Sequence, residues 1–158
     1  MNNKVLLIIT VGIPGAGKTT WAKRYISAHP GTIYISNDDL REELTGTTDF
    51  SEQNAQDIYD EAEKRVQECL KNNKNVILDG THTNMLDWNE YKNFVATKDT
   101  ILIAKLFDVT PDQAEQNLKF RKERPIPKDV LVRKWSQLEK SKKLLPLFFN
   151  WVDDQDFL

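Results

Sequence analysis

A glycine-rich stretch at residues 12–19 is the part of the sequence best suited to chemistry, because it has the spacing glycine, any four residues, Gly-Lys-Thr. In such a loop the backbone N–H groups point inward and form an anion site, and the following helix adds its positive N-terminal end. Lys18 can then reach the terminal phosphates of a nucleotide, and the Thr19 hydroxyl can bind Mg²⁺. A chance glycine turn without a ligand is the alternative, but an apolar strand precedes the loop and a helical pattern follows it. The residues expected to contact the nucleotide are Gly12, Pro14, Gly15, Ala16, Gly17, Lys18, Thr19 and Thr20.

Carboxylates follow the second and third predicted strands, and a parallel sheet would bring both positions to the same edge. Asp38 and Asp39 come directly after a short strand at residues 32–36. One of them can act as the base that orients an acceptor hydroxyl, while at least one can instead cap the helix that follows. Asp79 ends the next apolar strand in the manner of a Walker-B acid, which would hold Mg²⁺ through water. The sequence therefore predicts an acceptor base and a metal-side acid near the phosphate-binding loop.

Three further polar features have both a chemical and an ordinary interpretation. Arg41 can hold a phosphate of the acceptor or lie on a helix surface. Arg121 and Arg124 flank a charged loop, and we interpret residues 117–128 as a lid whose arginines stabilise charge on the moving phosphoryl group. The alternative for these arginines is surface solubility. His82 lies in a polar loop at the predicted active edge, where a hydrogen-bonding or spectator role is favoured over that of a base.

Two reaction classes lack support in the sequence. The guanine-specificity signature Asn-Lys-x-Asp is absent, since residues 72–75 precede a strand and lack the final acid, so ATP is the expected donor. Residues 79–81 resemble the end of a phosphatase motif with two aspartates, but Ile77 stands where the first aspartate would be needed. The expected cofactors are therefore ATP and Mg²⁺.

The composition predicts one globular domain over residues 1–158, since 39% of the residues are hydrophobic and 29% are charged. The single cysteine, Cys69, excludes an internal disulfide and is expected to pack in the core. The first apolar run is too short to span a membrane and has no signal-peptide pattern, so we expect a cytoplasmic protein with no membrane partner. The sequence is compatible with a monomer and with a homo-oligomer.

Positive charge is concentrated in residues 119–143, which contain ten Lys or Arg and three Asp or Glu. That segment carries +7, so the rest of the chain must carry −9 to give the formal net charge of −2. A basic patch on an acidic protein suits a polyanionic partner, although a solvated helix face is the commoner explanation of such a run.

Apolar strands that alternate with helical patterns must position these residues. The predicted strands lie at residues 4–11, 32–36, 76–79 and 100–109. The predicted helices lie at residues 20–26, 40–44, 51–70, around Trp88, at 110–120 and from Pro127 onward. The pattern predicts an α/β fold of the P-loop NTPase type, with a parallel sheet of about four strands, helices on both faces and a lid. The acidic residues at 153–156 are expected to fray.

Residues 35–41, Ile-Ser-Asn-Asp-Asp-Leu-Arg, follow the sequence Gly-x-Pro-Gly-x-Gly-Lys-Thr-Thr-Trp-Ala. Together they resemble the kinase domain of the bacteriophage polynucleotide kinase/phosphatase family, within the P-loop kinase superfamily, and a weaker similarity continues through residues 76–84 and 117–131. The resemblance implies transfer of the ATP γ-phosphate to the 5′-hydroxyl end of DNA or RNA, in nucleic acid repair and in a bacterial or phage-infected cell. It also implies a role for each of the following residues. Asp38 is the general base, Arg41 contacts the acceptor 3′-phosphate, Thr81 lies at the acceptor site, and Arg121 contacts the donor phosphates. Lys18 and Thr19 keep the phosphate and Mg²⁺ roles given above.

The chain departs from that family in three ways. Asn37 stands where the family has a basic residue, and residues 42–51 form a shorter segment. The chain as given stops about where the kinase domain would, so a phosphatase domain is not expected. A kinase of a nucleoside or another small molecule is the runner-up function, and a non-catalytic nucleotide switch is a third class. Asp38 with Arg41 and the lid arginines argue against the switch, which needs no acceptor base.

Overall fold

A computed structural model describes residues 4–49, 51–95, 99–120 and 125–158 of the protein. Its strands are β1 Val5–Val11, β2 Ile33–Ser36, β3 Val76–Asp79, β4 Thr100–Leu106 and β5 Trp151–Asp153. They form one parallel sheet in the order β2-β3-β1-β4-β5. The predicted α/β fold with a parallel sheet is confirmed, but the predicted number of strands is one short. β5 has three residues and lies at the sheet edge beside β4, so it offers no apolar run that a sequence pattern could reveal.

The helices in the described part of the chain connect the strands. They are α1 Lys18–Ala28, α2 Asn37–Thr45, α3 Glu52–Lys71, α4 Met85–Glu90, α5 Pro111–Leu118, α6 Lys128–Ser141 and α7 Leu145–Phe148, with 3₁₀ turns at Tyr91–Phe94 and Lys142–Leu144. The start of α5 agrees with the helix predicted at residues 110–120, and the hydroxyl of Thr110 caps it by accepting the N–H of Gln113 at 3.2 Å. Pro146 is the second residue of α7 and lies in its first turn, where proline is well tolerated.

The sheet is packed on both faces, because successive side chains of a strand point to opposite sides. Leu7 and Ile9 of β1 belong to a large buried cluster that includes residues of α3, α4, α6 and α7. Ile8 belongs to a smaller cluster with Ala22 and Tyr25 of α1. Burying a large apolar side chain contributes roughly 1.5–3 kcal/mol, so these two layers hold in place the sheet edge that carries the site. Across the described ranges, no helix is long and apolar enough to cross a membrane.

The C-terminal segment is organised around Asp153, and the expectation that these acidic residues fray is wrong. The Asp153 carboxylate is fully buried and accepts three backbone N–H groups from residues 155–158 at 3.0–3.2 Å. Lys105 of β4 is also buried, and its Nζ lies 3.4 Å from Asp153 and 2.6 Å from Asp156. Because Lys105 precedes Asp156 by 51 residues, no local pattern could have indicated this ion pair.

Candidate functional site

The phosphate-binding loop connects β1 to α1 and packs against α5. Gly15 and Gly17 have φ angles of +83° and +93°, in the left-handed region that favours glycine. A Cβ at Gly15 would also lie 2.6 Å from the carbonyl oxygen of Ala114, so α5 leaves no room for a side chain there. The amide of Asn117 donates to the carbonyl oxygen of Gly15 at 2.8 Å. The shape of the loop therefore depends on glycine and on its contact with α5.

Lys18 and Gly12 connect the loop to its surroundings. The Lys18 side chain is buried, and its Nζ donates to the carbonyl oxygen of Ile13 at 2.7 Å. This contact folds the lysine back over the loop, so its charge adds to that of the helix N-terminus. The backbone N–H of Gly12 donates to the carbonyl oxygen of Thr81 at 3.0 Å. Thr81, which the resemblance implied for the acceptor site, thus lies directly beside the phosphate-binding loop.

A cleft of about 460 Å³ opens beside the loop, between the start of α1 and the end of α5. It is lined by Gly15, Gly17, Thr20, Trp21, Arg24, Asn117 and Phe120. Among the other predicted nucleotide contacts, Pro14 is half-buried, and Ala16 packs in a small buried cluster with Ile13. Asn117 and Phe120 lie at the start of the predicted lid, whereas Trp21 and Arg24 were not predicted to line the cleft. The helical spacing of Trp21 and Arg24 beyond the loop was the signal that could have found them.

The predicted lid, residues 117–128, is described only in part. Arg121 and Arg124 lie outside the described residues. Phe120, just before them, is 90% exposed beside the cleft. Beyond them, the Lys128 ammonium at the start of α6 pairs with Asp112 of α5 and so joins the two helices that border the lid.

The Asp79 carboxylate is held by hydroxyl groups from three different elements. Thr19 of the loop donates to Oδ2 at 2.7 Å, and Tyr34 of β2 donates to the same oxygen at 2.5 Å. The hydroxyl of Thr10 in β1 lies 3.2 Å from Oδ1 and 2.9 Å from the carbonyl oxygen of Gly80. Burial raises the pKa of the Tyr34 hydroxyl, and the hydrogen bond to Asp79 raises it further, so Tyr34 is a donor. Thr19 and Asp79, predicted separately on the metal side, are therefore in direct contact.

This oxygen pair fits Mg²⁺. Mg²⁺ prefers hard oxygen ligands and is usually held by one or two protein groups together with water and substrate phosphates. Thr19 and Asp79 supply one hydroxyl and one carboxylate beside the phosphate-binding loop. No group of three or more His, Cys, Asp or Glu that could enclose a metal is found among the residues that the structure describes.

The first turn of α2 carries the predicted acceptor residues. The helix begins at Asn37, and the hydroxyl of Ser36 accepts the N–H of Asp39 at 3.3 Å. The expectation that an aspartate caps this helix is therefore wrong, because Ser36 is the cap and both aspartates lie inside the first turn. Asp38 Oδ1 accepts a hydrogen bond from Arg41 Nη1 at 2.7 Å; the Asp38 side chain is 75% exposed and that of Arg41 14%. The two residues predicted to contact the acceptor thus form an ion pair.

His82 has a hydrogen-bonding role. The ring is buried, with Nδ1 2.7 Å from the carbonyl oxygen of Thr10 and Nε2 3.0 Å from the amide nitrogen of Asn37. Burial lowers the pKa of His82 to about 4, although the hydrogen bond to Thr10 and the charge of Asp79 both act to raise it. The ring is therefore neutral near pH 7.

Sequence reasoning missed Thr10, Tyr34 and Asn37. Thr10 and Tyr34 are polar residues inside otherwise apolar strands, and that contrast was a signal that could have found them. Asn37 was noted only as a departure from a family pattern. Their partners lie 45–72 residues away in the chain, so the contacts required the strand order.

The basic segment at residues 119–143 is partly neutralised by its neighbours. Lys128 pairs with Asp112, and Lys142 lies 2.7 Å from Glu139 and 3.0 Å from Asp108. Part of the positive charge therefore serves contacts within the chain, which favours the solvated-face interpretation for those two lysines.

A protein-family model described as AAA domain matches residues 7–145 of the chain. A chain of the Pnkp1/Rnl/Hen1 RNA repair complex is 25% identical, with a TM-score of 0.80, and the similarity covers 90% of this chain and 46% of that one. The protein thus spans about half the length of the RNA-repair chain that it matches.

Small-molecule kinases share the fold. A shikimate kinase from Bacteroides thetaiotaomicron is 20% identical, with a TM-score of 0.61, over 93% of this chain and 85% of that one. A gluconokinase from Sinorhizobium meliloti 1021 is 15% identical, with a TM-score of 0.57, over 85% of this chain and 75% of that one. At these identities the similarity shows the fold alone, and that fold is a P-loop kinase fold.

Proposed function

This chain belongs to the AAA domain family, and from that premise we propose that it is an ATP-dependent kinase that transfers the γ-phosphate to the 5′-hydroxyl end of DNA or RNA. One observation carries the proposal. At the carboxyl edge of the sheet, Ser36 of β2 pairs with Asp79 of β3, so α2 begins beside the metal-side acid with the Asp38–Arg41 ion pair in its first two turns. A base and a phosphate-binding cation next to a phosphate-binding loop suit a phosphorylated acceptor.

The donor half consists of the loop and its cleft. The loop N–H groups and Lys18 would bind the phosphates of ATP, and the cleft beside Trp21 and Arg24 would take the nucleoside. Arg121 and Arg124 of the proposed lid would close over the donor phosphates. Excluding water from this space would strengthen their electrostatic effect and suppress hydrolysis of ATP.

Thr19 and Asp79 are the residues that would hold Mg²⁺, Asp79 through water. When bound, the ion supplies positive charge that offsets the charge on the transferring phosphoryl group. Tyr34 orients the Asp79 carboxylate by donating to one oxygen, and the Thr10 hydroxyl contacts the other. The chain thus supplies a fixed carboxylate rather than a mobile one.

The acceptor half consists of Asp38, Arg41 and Thr81. Asp38 would accept the proton of the 5′-hydroxyl as its oxygen attacks the γ-phosphorus. The new oxygen–phosphorus bond forms while the bond to the β,γ-bridging oxygen breaks, and ADP leaves with that electron pair. Arg41 would hold the 3′-phosphate of the terminal nucleotide, and it lies 2.7 Å from the Asp38 carboxylate. Thr81 would contact the acceptor from the segment beside the loop.

A kinase of a nucleoside or other small molecule is the second candidate. The ion pairs of Lys128 and Lys142 favour it, since they consume positive charge that a polynucleotide would otherwise use. The higher similarity to the RNA-repair chain, with a TM-score of 0.80 against 0.61 and 0.57, supports the polynucleotide instead.

The test is transfer of labelled γ-phosphate from ATP to a panel of acceptors. The panel contains 5′-hydroxyl DNA and RNA oligonucleotides, nucleoside 3′-phosphates, plain nucleosides, gluconate and shikimate. We expect efficient transfer to the oligonucleotides, and Lys18→Ala should remain folded but lose transfer by about 10²–10³-fold or more. Preference for a nucleoside or a sugar acid would establish the second candidate, and full activity in Lys18→Ala would remove both.

A further inference from the structure

His82 connects one strand and two helices at the centre of the site. Its Nδ1 lies 2.7 Å from the carbonyl oxygen of Thr10 in β1, and its Nε2 lies 3.0 Å from the amide nitrogen of Asn37 in α2. Its own carbonyl oxygen accepts the indole N–H of Trp88 in α4 at 2.6 Å. The backbone at His82 has a φ of +47°, an uncommon value for a residue with a side chain. Contacts of this kind and number hold the ring in one orientation.

The two partners of the ring determine where its proton lies. A carbonyl oxygen can only accept a hydrogen bond, so Nδ1 must carry the hydrogen that it donates to Thr10. In the neutral ring Nε2 is then an acceptor, which matches the N–H group that Asn37 presents to it. This pairing also fixes the side-chain amide of Asn37, because a flipped amide would set its oxygen against the lone pair of Nε2.

Gly80 makes the contact between His82 and Asn37 sterically feasible. A Cβ at Gly80 would lie 2.7 Å and 2.8 Å from Cε1 and Nε2 of His82 and 2.9 Å from the amide nitrogen of Asn37. On another side, the ring of Tyr91 meets the imidazole edge to face, with centroids 5.2 Å apart. The imidazole is therefore confined between the backbone of Gly80, which has no side chain, and the buried ring of Tyr91.

The hydrogen bonds of the His82 ring to Thr10 and Asn37 form a link whose two ends lie in the two halves of the proposed site. The Thr10 hydroxyl lies 3.2 Å from Oδ1 of Asp79, the metal-side acid, and 2.9 Å from the carbonyl oxygen of Gly80, and it accepts the N–H of Gly80. Asn37 is the first residue of α2 and immediately precedes Asp38, the proposed base. We propose that His82 is a positioning residue which, as the Nδ1–H tautomer, connects Thr10 to Asn37 and so sets the position of Asp38 relative to Asp79.

The consequence for catalysis rests on the proposed kinase function. A base that is displaced by about 1 Å can cost roughly 10²-fold in rate. Losing the link should therefore lower kcat with the acceptor while leaving the binding of ATP, which depends on the loop and cleft, nearly unchanged. Asn37→Ala removes the α2 end of the link. His82→Asn keeps a donor for the Thr10 carbonyl but removes the acceptor for Asn37.

The first test does not depend on activity. Long-range ¹H–¹⁵N NMR spectra of the full chain distinguish the two neutral tautomers of His82. We expect a protonated Nδ1 and an unprotonated Nε2 near pH 7, with the Nε2 resonance changing in Asn37→Ala. A protonated Nε2, or no change in that variant, would overturn the link whether or not the chain proves to be a kinase.

The second test is a double-mutant cycle on phosphoryl transfer. Asn37→Ala and His82→Asn should each lower kcat by about 10- to 100-fold, and the double variant should be no slower than the slower single variant. His29→Asn is the matched control, since His29 is the other histidine and lies exposed at the end of α1. If the double variant instead lost the product of the two single losses, the two side chains would act independently and the link would be wrong. A rise in KM for ATP with kcat unchanged would show that His82 has a merely structural role.

Discussion

Two polar clusters lie at the carboxyl ends of the strands, one towards β2 and one towards β5, and they differ in how their charge is balanced. In the acceptor-edge cluster, Asp79 is held by the hydroxyl groups of Thr10, Thr19 and Tyr34. In the opposite-edge cluster, which lies on the β5 side of the same carboxyl ends, the Lys105 ammonium lies between the carboxylates of Asp153 and Asp156. Hydroxyl groups orient a carboxylate without cancelling its charge, whereas an ammonium cancels it.

In the opposite-edge cluster, the pKa of Asp153 reflects how fully its carboxylate is paired. Burial alone would raise the pKa of that carboxyl, but the N–H groups of residues 155–158 and the charge of Lys105 lower it below its ordinary value. Nζ of Lys105 also lies 5.5 Å from the ring centroid of Trp21 and 5.4 Å from that of Phe107. We infer that the opposite-edge cluster stabilises the fold, while the acceptor-edge cluster is built to receive a cation and substrates.

The largest expected effect is at the acceptor edge. Asp38→Asn keeps the shape of the side chain but removes the charge, so kcat should fall by about 10²–10⁴-fold while ATP binding and thermal stability persist. Transfer assays and ATP titration measure these quantities. Asp39→Asn is the matched control one residue away, and a larger loss in that variant would reverse the roles of the two aspartates.

In the opposite-edge cluster, on the β5 side of the sheet, a substitution should reduce the stability of the protein rather than its activity. Lys105→Met leaves the Asp153 carboxylate buried without its cation, which should lower the free energy of unfolding by about 3–5 kcal/mol. Urea unfolding measures this change, and kcat of the folded protein should stay near the wild-type value. Lys128→Met breaks an ion pair on the surface instead and should change stability little. A loss of kcat in folded Lys105→Met would show that the opposite-edge cluster also contributes to activity, which would contradict its assignment to stability alone.

The two clusters should also differ in their response to pH, because the ring of His82 contacts Thr10 of the acceptor-edge cluster. The folded-state pKa of His82 is about 4, below the ordinary 6.5, so between these values the unfolded chain binds a proton that the folded chain does not. Stability should therefore fall by up to about 1.4 kcal/mol per pH unit as pH drops from 6.5 to 4. The Asp153 contribution should be lost only below its ordinary pKa of 3.8.

Urea unfolding of two histidine variants at pH 7 and pH 5 separates these windows. His82→Asn should show a smaller stability difference between the two pH values than wild type, and His29→Asn should behave like wild type. Equal differences in all three proteins would mean that His82 is not buried in its neutral form.

The smallest effect is expected at Arg41. Arg41→Ala should raise KM for a 5′-hydroxyl oligonucleotide or a nucleoside 3′-phosphate by about 10-fold, the equivalent of about 1.4 kcal/mol, and change little for a plain nucleoside. Added salt should weaken oligonucleotide binding more than ATP binding. A wild-type preference for the plain nucleoside, together with no effect of Arg41→Ala, would favour the small-molecule kinase.

The sequence alone determined the features that a few neighbouring residues encode. The phosphate-binding loop needs only its glycines, Lys18 and Thr19 in order, and the start of α5 needs only Thr110 with the following turn. The apolar strand pattern was enough to predict a parallel sheet with helices on both faces. These predictions held because loop geometry, helix capping and strand burial are local or periodic properties.

Only the tertiary structure decided which polar groups meet. The strand order places β3 beside β1, which brings Asp79 to Thr19, and it places β2 beside β3, which brings Tyr34 and Asn37 to the same edge. It also places β5 beside β4, which converts an acidic segment expected to fray into a partner for Lys105. Such contacts join residues tens of positions apart. The physical reason is that a buried charge or hydrogen-bonding group is satisfied by whatever lies next to it in space, and strand order is not written in any local pattern.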